Sequence, residues 1–126
     1  MSTLQIGLTH TCSFFVDKKH TAIAMCSGDM EVLATPALIA LMENAAMLAV
    51  ANVLPEGATT VGAHIESSHL RPTPCGHKVT ATATLIKIDR LKLFFNISAT
   101  DDSGNIIGKG THLRFMVNKV KFLSRL

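Results

Sequence analysis

A single carboxylate, Glu43, interrupts the most apolar stretch of the chain, residues 37–54, where Asn44 and Asn52 are the only other polar side chains. An ionised carboxylate among aliphatic neighbours is costly unless it is paired or used for chemistry. The positions one helical turn away, Ile39 and Met47, supply no counter-charge. A Glu that escapes to an edge or meets a buried cation is the plainer alternative, but the missing local partner favours a general base or a nucleophile. Thr35 precedes Pro36, a pair that starts helices because the hydroxyl caps a free amide and the Pro occupies a first-turn position whose N–H has no partner. Capping alone suffices to explain Thr35, yet the same helix start offers free amides and a positive dipole end to a developing oxyanion. His69 is the candidate for proton transfer, although a satisfied core histidine is the commoner reading of such a residue taken alone.

These residues need elements to hold them. The helix opened by Thr35-Pro36 is expected to run to about Val53 and to stop at Pro55-Glu56-Gly57. It is apolar around its circumference, which predicts enclosure by protein. A short strand over 9–16 and an irregular stretch over 17–33 come first. After the helix the chain is strand-like over 58–70, 78–88, 91–100 and 106–117, with a hairpin turn at 101–105. Alternation places Val61, Ala63, Ile65 and His69 on the helix-facing side of one strand and His64 on the other. A change of parity after Leu85 predicts a bulge. The expected fold is α+β, a strongly curved antiparallel sheet around one central helix.

The 126 residues suit one domain over 1–126, and 48% hydrophobic against 17% charged residues excludes a disordered chain. The net charge of +3 is uneven: Lys109, Arg114, Lys119, Lys121 and Arg125 fall in the last eighteen residues without an acid. With no Trp or Tyr and no basic stripe through the fold, nucleic acid is not an expected partner. A terminal basic cluster suits a solvated tail or a small anion. Cys12, Cys26 and Cys75 form neither a disulfide framework nor a metal cage, and the expected setting is the reducing cytoplasm. The N-terminus lacks the pattern of a secretory signal, and the apolar helix is short for a bilayer and carries a charge. Cys75 lacks an adjacent base, and Gly108 and Gly110 lie within a strand, where close backbone packing explains them. His112 and Arg114 share the face of these glycines, where Arg114 meets a phosphate or an acid.

Thr35, Glu43 in its Leu41-Met42-Glu43 context, His69, Gly62 and the run Gly108-Lys109-Gly110-Thr111-His112-Leu113-Arg114 together resemble the fluoroacetyl-coenzyme A thioesterase-like group of hotdog-fold proteins. The likeness reaches from the first strand to Val117. It implies a hotdog fold, a catalytic set of Thr35, Glu43 and His69, and substrate contacts from Gly62 and Arg114. The implied activity is hydrolysis of an acyl-CoA to acid and free CoA, with no cofactor or metal beyond the coenzyme A of the substrate itself. No Phe lies between Phe15 and Phe94, where the namesake enzyme has an aromatic lid, so the expected substrate is a short-chain or otherwise unidentified acyl thioester. A non-catalytic acyl-CoA binding or sensing module is the alternative. A hotdog hydratase would want an Asp and His pair, and no Asp lies between Asp29 and Asp89.

Geometry adds an expectation about assembly. Eight residues of helix put Thr35 and Glu43 ~12 Å apart along the axis and about 80° apart around it. One chain cannot readily bring both to one carbonyl. A homodimer, or a higher oligomer built from it, with the site shared across a two-fold axis is therefore expected.

Overall fold

The computed structural model describes residues 3–126. Strand β1 (Thr9–Phe15) leads through a 3-10 turn at Lys18–His20 and an irregular segment into helix α1 (Thr35–Ala51). Four antiparallel strands follow: β2 (Ala58–His69), β3 (Lys78–Asp89), β4 (Lys92–Asp101) and β5 (Ile106–Asn118), and helix α2 (Lys119–Ser124) closes the described chain. The sheet order is β1-β3-β4-β5-β2, which leaves β1 and β2 as edges. The expected architecture is present, a curved sheet against one central helix, and the expected bulge in β3 falls between Leu85 and Lys87. The C-terminal helix was not anticipated. Asn118 caps it, its side-chain oxygen accepting from the Lys121 amide at 3.0 Å.

The core forms where α1 lies on the sheet. Leu38, Met42, Ala45, Ala46 and Val50 meet Val79, Ala81, Ala83 and Leu85 of β3 and Leu93, Phe95 and Ile97 of β4. Alanine at alternate strand positions lets the helix sit close to the sheet, and the larger Leu, Met and Phe side chains fill the space between.

Two expectations need correction. The helix is not enclosed on every side: Pro36, Ala40, Asn44 and Ala51 are exposed and Glu43 and Met47 half-buried, a stripe at helical spacing that the sheet does not cover. Hydrophobicity alone could not separate this stripe from the buried face, because much of it is alanine. The alternation assumed along β2 also fails, since its ladder with β5 shifts register between Gly62 and His64 and leaves Ala63 unpaired. Thr60 and Gly62 face inward before the bulge and Ile65 and His69 after it, whereas Ala63 is exposed. His69 still faces the helix as expected, and His64 lies outside beside Glu66.

Candidate active site

Two polar clusters lie along α1. The first is at its N-terminus, where Thr35 is the first helical residue and Ala34 is the N-cap without any side-chain bond. Thr35 therefore does not cap the helix. Its Oγ1 is 2.8 Å from His69 Nδ1, thirty-four residues away at the end of β2. A partner from another element takes the hydroxyl in place of the local amide, which sequence spacing cannot register. Pro36 has no N–H, and the first intrahelical bond is Leu38 N–H to the Ala34 carbonyl at 3.1 Å, so the amides of Thr35 and Ala37 are left without helical acceptors.

His69 Nδ1 meets Thr35, while Nε2 is buried with no hydrogen-bond partner. Burial pushes its pKa below the ordinary 6.5, only partly opposed by the Arg71 backbone, so the ring is neutral at neutral pH. Thr35 and His69 border a cleft of about 360 Å³ whose wall includes Ala22, Met30, Leu33, Leu70 and Pro72.

The second cluster surrounds Glu43. Its side chain is 41% exposed, so the costly buried charge inferred from sequence is in fact half in water. The buried charge is Arg114, 7% exposed, whose Nη1 lies 3.8 Å from Glu43 Oε2. Arg114 is fixed from behind: Nε donates to Thr60 Oγ1 at 2.8 Å and Nη2 to the Thr60 carbonyl at 3.0 Å. Desolvation lowers its pKa and Glu43 opposes that shift. Gly62 completes the cluster, because a Cβ there would stand 2.9 Å from Glu43 Oε2. The late glycines are structural, as expected: a Cβ on Gly108 would meet Leu38 Cδ2 at 3.1 Å, and one on Gly110 would run into the Glu66 backbone.

The expected site residues thus fall into two sets, Thr35 with His69 and Glu43 with Gly62 and Arg114. Two residues of the second set were not singled out for it, Thr60 and His112. His112 Nε2 is 3.1 Å from Arg114 Nη1. The signal available for both was their place in a strand pair bearing a buried Arg, which needs the β2–β5 register to be read.

Known proteins share this arrangement of chain. A family model described as fluoroacetyl-CoA-specific thioesterase matches residues 16–120. The fluoroacetyl-CoA thioesterase of Streptantibioticus cattleyicolor is 36% identical over 96 residues, covering 76% of this chain and 68% of that protein. A solved structure of the fluoroacetyl-CoA thioesterase FlK superposes with a TM-score of 0.91 at 31% identity, over 98% of this chain and 96% of that one. A thioesterase superfamily member from Thermus thermophilus shares the fold at 22% identity, with a TM-score of 0.90 over 99% and 92% of the two chains. Fold and likeness together define the class, a hotdog-fold thioesterase. Within that class the chain belongs to the fluoroacetyl-CoA-specific thioesterase family.

Proposed function

We propose that this protein hydrolyses the thioester of a short-chain acyl-CoA, releasing the free acid and CoA. The observation that carries the reading is the Thr35–His69 pair at an open helix start, with a buried ring nitrogen of His69 left without a partner. The carbonyl oxygen lies at the amides of the first helical turn, which stabilise the negative charge that develops there. Glu43 takes a proton from attacking water, or adds to the carbonyl itself with water then cleaving the anhydride. Either route breaks the carbon–sulfur bond and ends in the same products. His69, neutral with one N–H and one lone pair, passes protons between the Thr35 hydroxyl and the reacting groups, and the departing thiolate leaves protonated. Coenzyme A enters as part of the substrate, and the chemistry calls for no further cofactor or metal. Gly62 and Arg114 contact the substrate beside Glu43. The cleft wall sets Leu33, Leu70 and Pro72 beside Ser27, Asp29 and Arg71, a mixed lining that suits a small acyl group next to polar partners. Mutants of FlK have been solved with acetyl-CoA and with fluoroacetate and CoA, and both acyl groups belong in any substrate panel.

The working unit of this reading is a homodimer. Thr35 and His69 stand two helical turns from Glu43, so a complete set is supported best by Glu43 of one chain approaching the helix start of its partner. The uncovered stripe on α1 and the open edge of the twelve-residue strand β2 favour a second copy as the occupant. No helix among the described residues is long and apolar enough to cross a membrane. The three free cysteines suit a reducing cytoplasm.

The test is thiol release from a panel of acetyl-, fluoroacetyl-, propionyl-, butyryl- and phenylacetyl-CoA. Turnover of at least one is expected. Binding of these thioesters with no thiol released by any would replace this reading with the acyl-CoA sensing module.

A further inference from the structure

We infer that His112 is a positioning residue of the Glu43 cluster: its unprotonated Nε2 holds the Arg114 guanidinium in place beside the carboxylate. This rests on the thioesterase reading for its kinetic consequence, though not for its geometry. His112 is 3% exposed on β5. Its Nδ1 lies 2.7 Å from the His64 carbonyl oxygen. A carbonyl only accepts, so Nδ1 carries the ring proton and Nε2 presents a lone pair. That lone pair accepts from Arg114 Nη1 at 3.1 Å. With Thr60 taking Nε and Nη2, every nitrogen of the guanidinium is held.

Glu43 Oε2 stands 3.8 Å from Arg114 Nη1 and 3.9 Å from His112 Nε2. Both distances exceed a hydrogen bond, so the carboxylate feels the positive charge without being tied to it. A base or nucleophile needs that condition, since a bidentate Arg clamp would occupy the lone pairs it must use. By engaging Nη1, His112 keeps the guanidinium turned toward the strand.

The groups facing the ring are Glu43 from α1, His64 from β2 and Arg114 from its own strand, while β4 contributes the Phe95 ring at 6.4 Å between centroids. Burial, Arg114 and His64 disfavour the imidazolium, and the His64 carbonyl and Glu43 favour it, with burial the largest. Protonation would set an Nε2–H against Arg114 Nη1, break that bond and leave Glu43 as the acceptor in reach. Acidification thus undoes the positioning.

Two substitutions separate positioning from simple packing. In His112→Gln the side-chain carbonyl reaches the place of Nε2 and can accept from Arg114. In His112→Asn the amide reaches the His64 carbonyl but stops short of Arg114. The Asn variant is expected to lose about 10-fold or more in kcat with a smaller change in KM, and the Gln variant to recover most of that loss. Equal kcat in two folded variants overturns the proposal. Ring nitrogen NMR on the wild-type protein provides the second measurement, independent of folding of the variants. The Nδ1–H tautomer should dominate at neutral pH and persist as the pH is lowered through the ordinary 6.5. An Nε2–H tautomer, or protonation at the ordinary 6.5, also overturns it. If the wild-type protein releases no thiol, the thioesterase reading falls, while the ring spectrum still decides whether His112 can accept from Arg114.

Discussion

The start of α1 and its middle treat their polar groups in opposite ways. At the start, Thr35 and His69 have each other, and the remaining polar groups, two first-turn amides and the His69 Nε2, lack protein partners. At the middle, the guanidinium of Arg114 is matched at every nitrogen and the His112 ring at both of its own. Buried polar groups in folded proteins are nearly always paired, so an orphan is informative about where a ligand completes the pairing. On the proposed reading the first cluster receives the reacting group, and the second holds one carboxylate under a fixed field.

The strongest way to break this comparison is to disable each cluster in a different chain. Glu43→Gln and Thr35→Val should each lower kcat by about 10²-fold or more in a folded protein. Mixing the two variants under subunit exchange should restore activity, because each heterodimer regains one intact site. Verified heterodimers without recovered turnover, or light scattering at the mass of one chain for an active protein, would overturn the shared site. A somewhat smaller effect is expected at His69, the proposed proton carrier. His69→Ala should reduce kcat by roughly 10–10²-fold and move KM less, since proton transfer matters chiefly in the transition state. A change confined to KM would make His69 a substrate contact.

Gly62→Ala sharpens the comparison from the other side. The new Cβ would sit 2.9 Å from Glu43 Oε2, and the carboxylate, at the flexible end of a half-exposed side chain, must yield. Activity should drop by about 10-fold while the thermal midpoint stays nearly unchanged, a split visible by combining kinetics with calorimetry. The smallest effect concerns stability against pH. Burial holds the folded pKa of His69 and of His112 below 6.5. Between those depressed values and 6.5 the unfolded chain binds more protons than the folded one, so this contribution is full above 6.5 and is lost as pH falls through the folded values. Urea midpoints measured across that range should decline on acidification, and His112→Gln should flatten the decline. A midpoint that rises on acidification would contradict the assignment of neutral buried rings.

Much of this was legible in the sequence wherever the physical cause is local. Alternation in β3 and β4 announced the sheet because Val79, Ala81, Ala83 and Leu85, then Leu93, Phe95 and Ile97, repeat with the period of a strand. Pro36 announced the helix start. The losses came where the cause is non-local. The Thr35 hydroxyl was assigned to a neighbouring amide because its actual partner is delivered by folding. The extra residue at Ala63 escaped detection because Gly62 and Ala63 are too small to mark a face. Glu43 stood out as a carboxylate in an apolar helix, but its side chain is half-exposed and its neighbouring cation, Arg114, comes from another element. The sequence Lys119-Val-Lys-Phe-Leu-Ser reads as a basic tail until Asn118 is seen to cap it.

The irregularity at Ala63 has a genetic corollary. Gly62 and His69 are seven positions apart, an odd interval that would put them on opposite faces of a regular strand, and the unpaired Ala63 brings both inward. Deleting Ala63 alone would leave a regular strand in which both residues still point inward. Inserting one residue anywhere between His64 and Ser68, without a second bulge, would turn His69 to the outside and part it from Thr35. For this stretch of the gene, reading-frame-preserving insertions are therefore a harsher class of change than most substitutions, since what they disturb is the count that addresses the histidine to its partner.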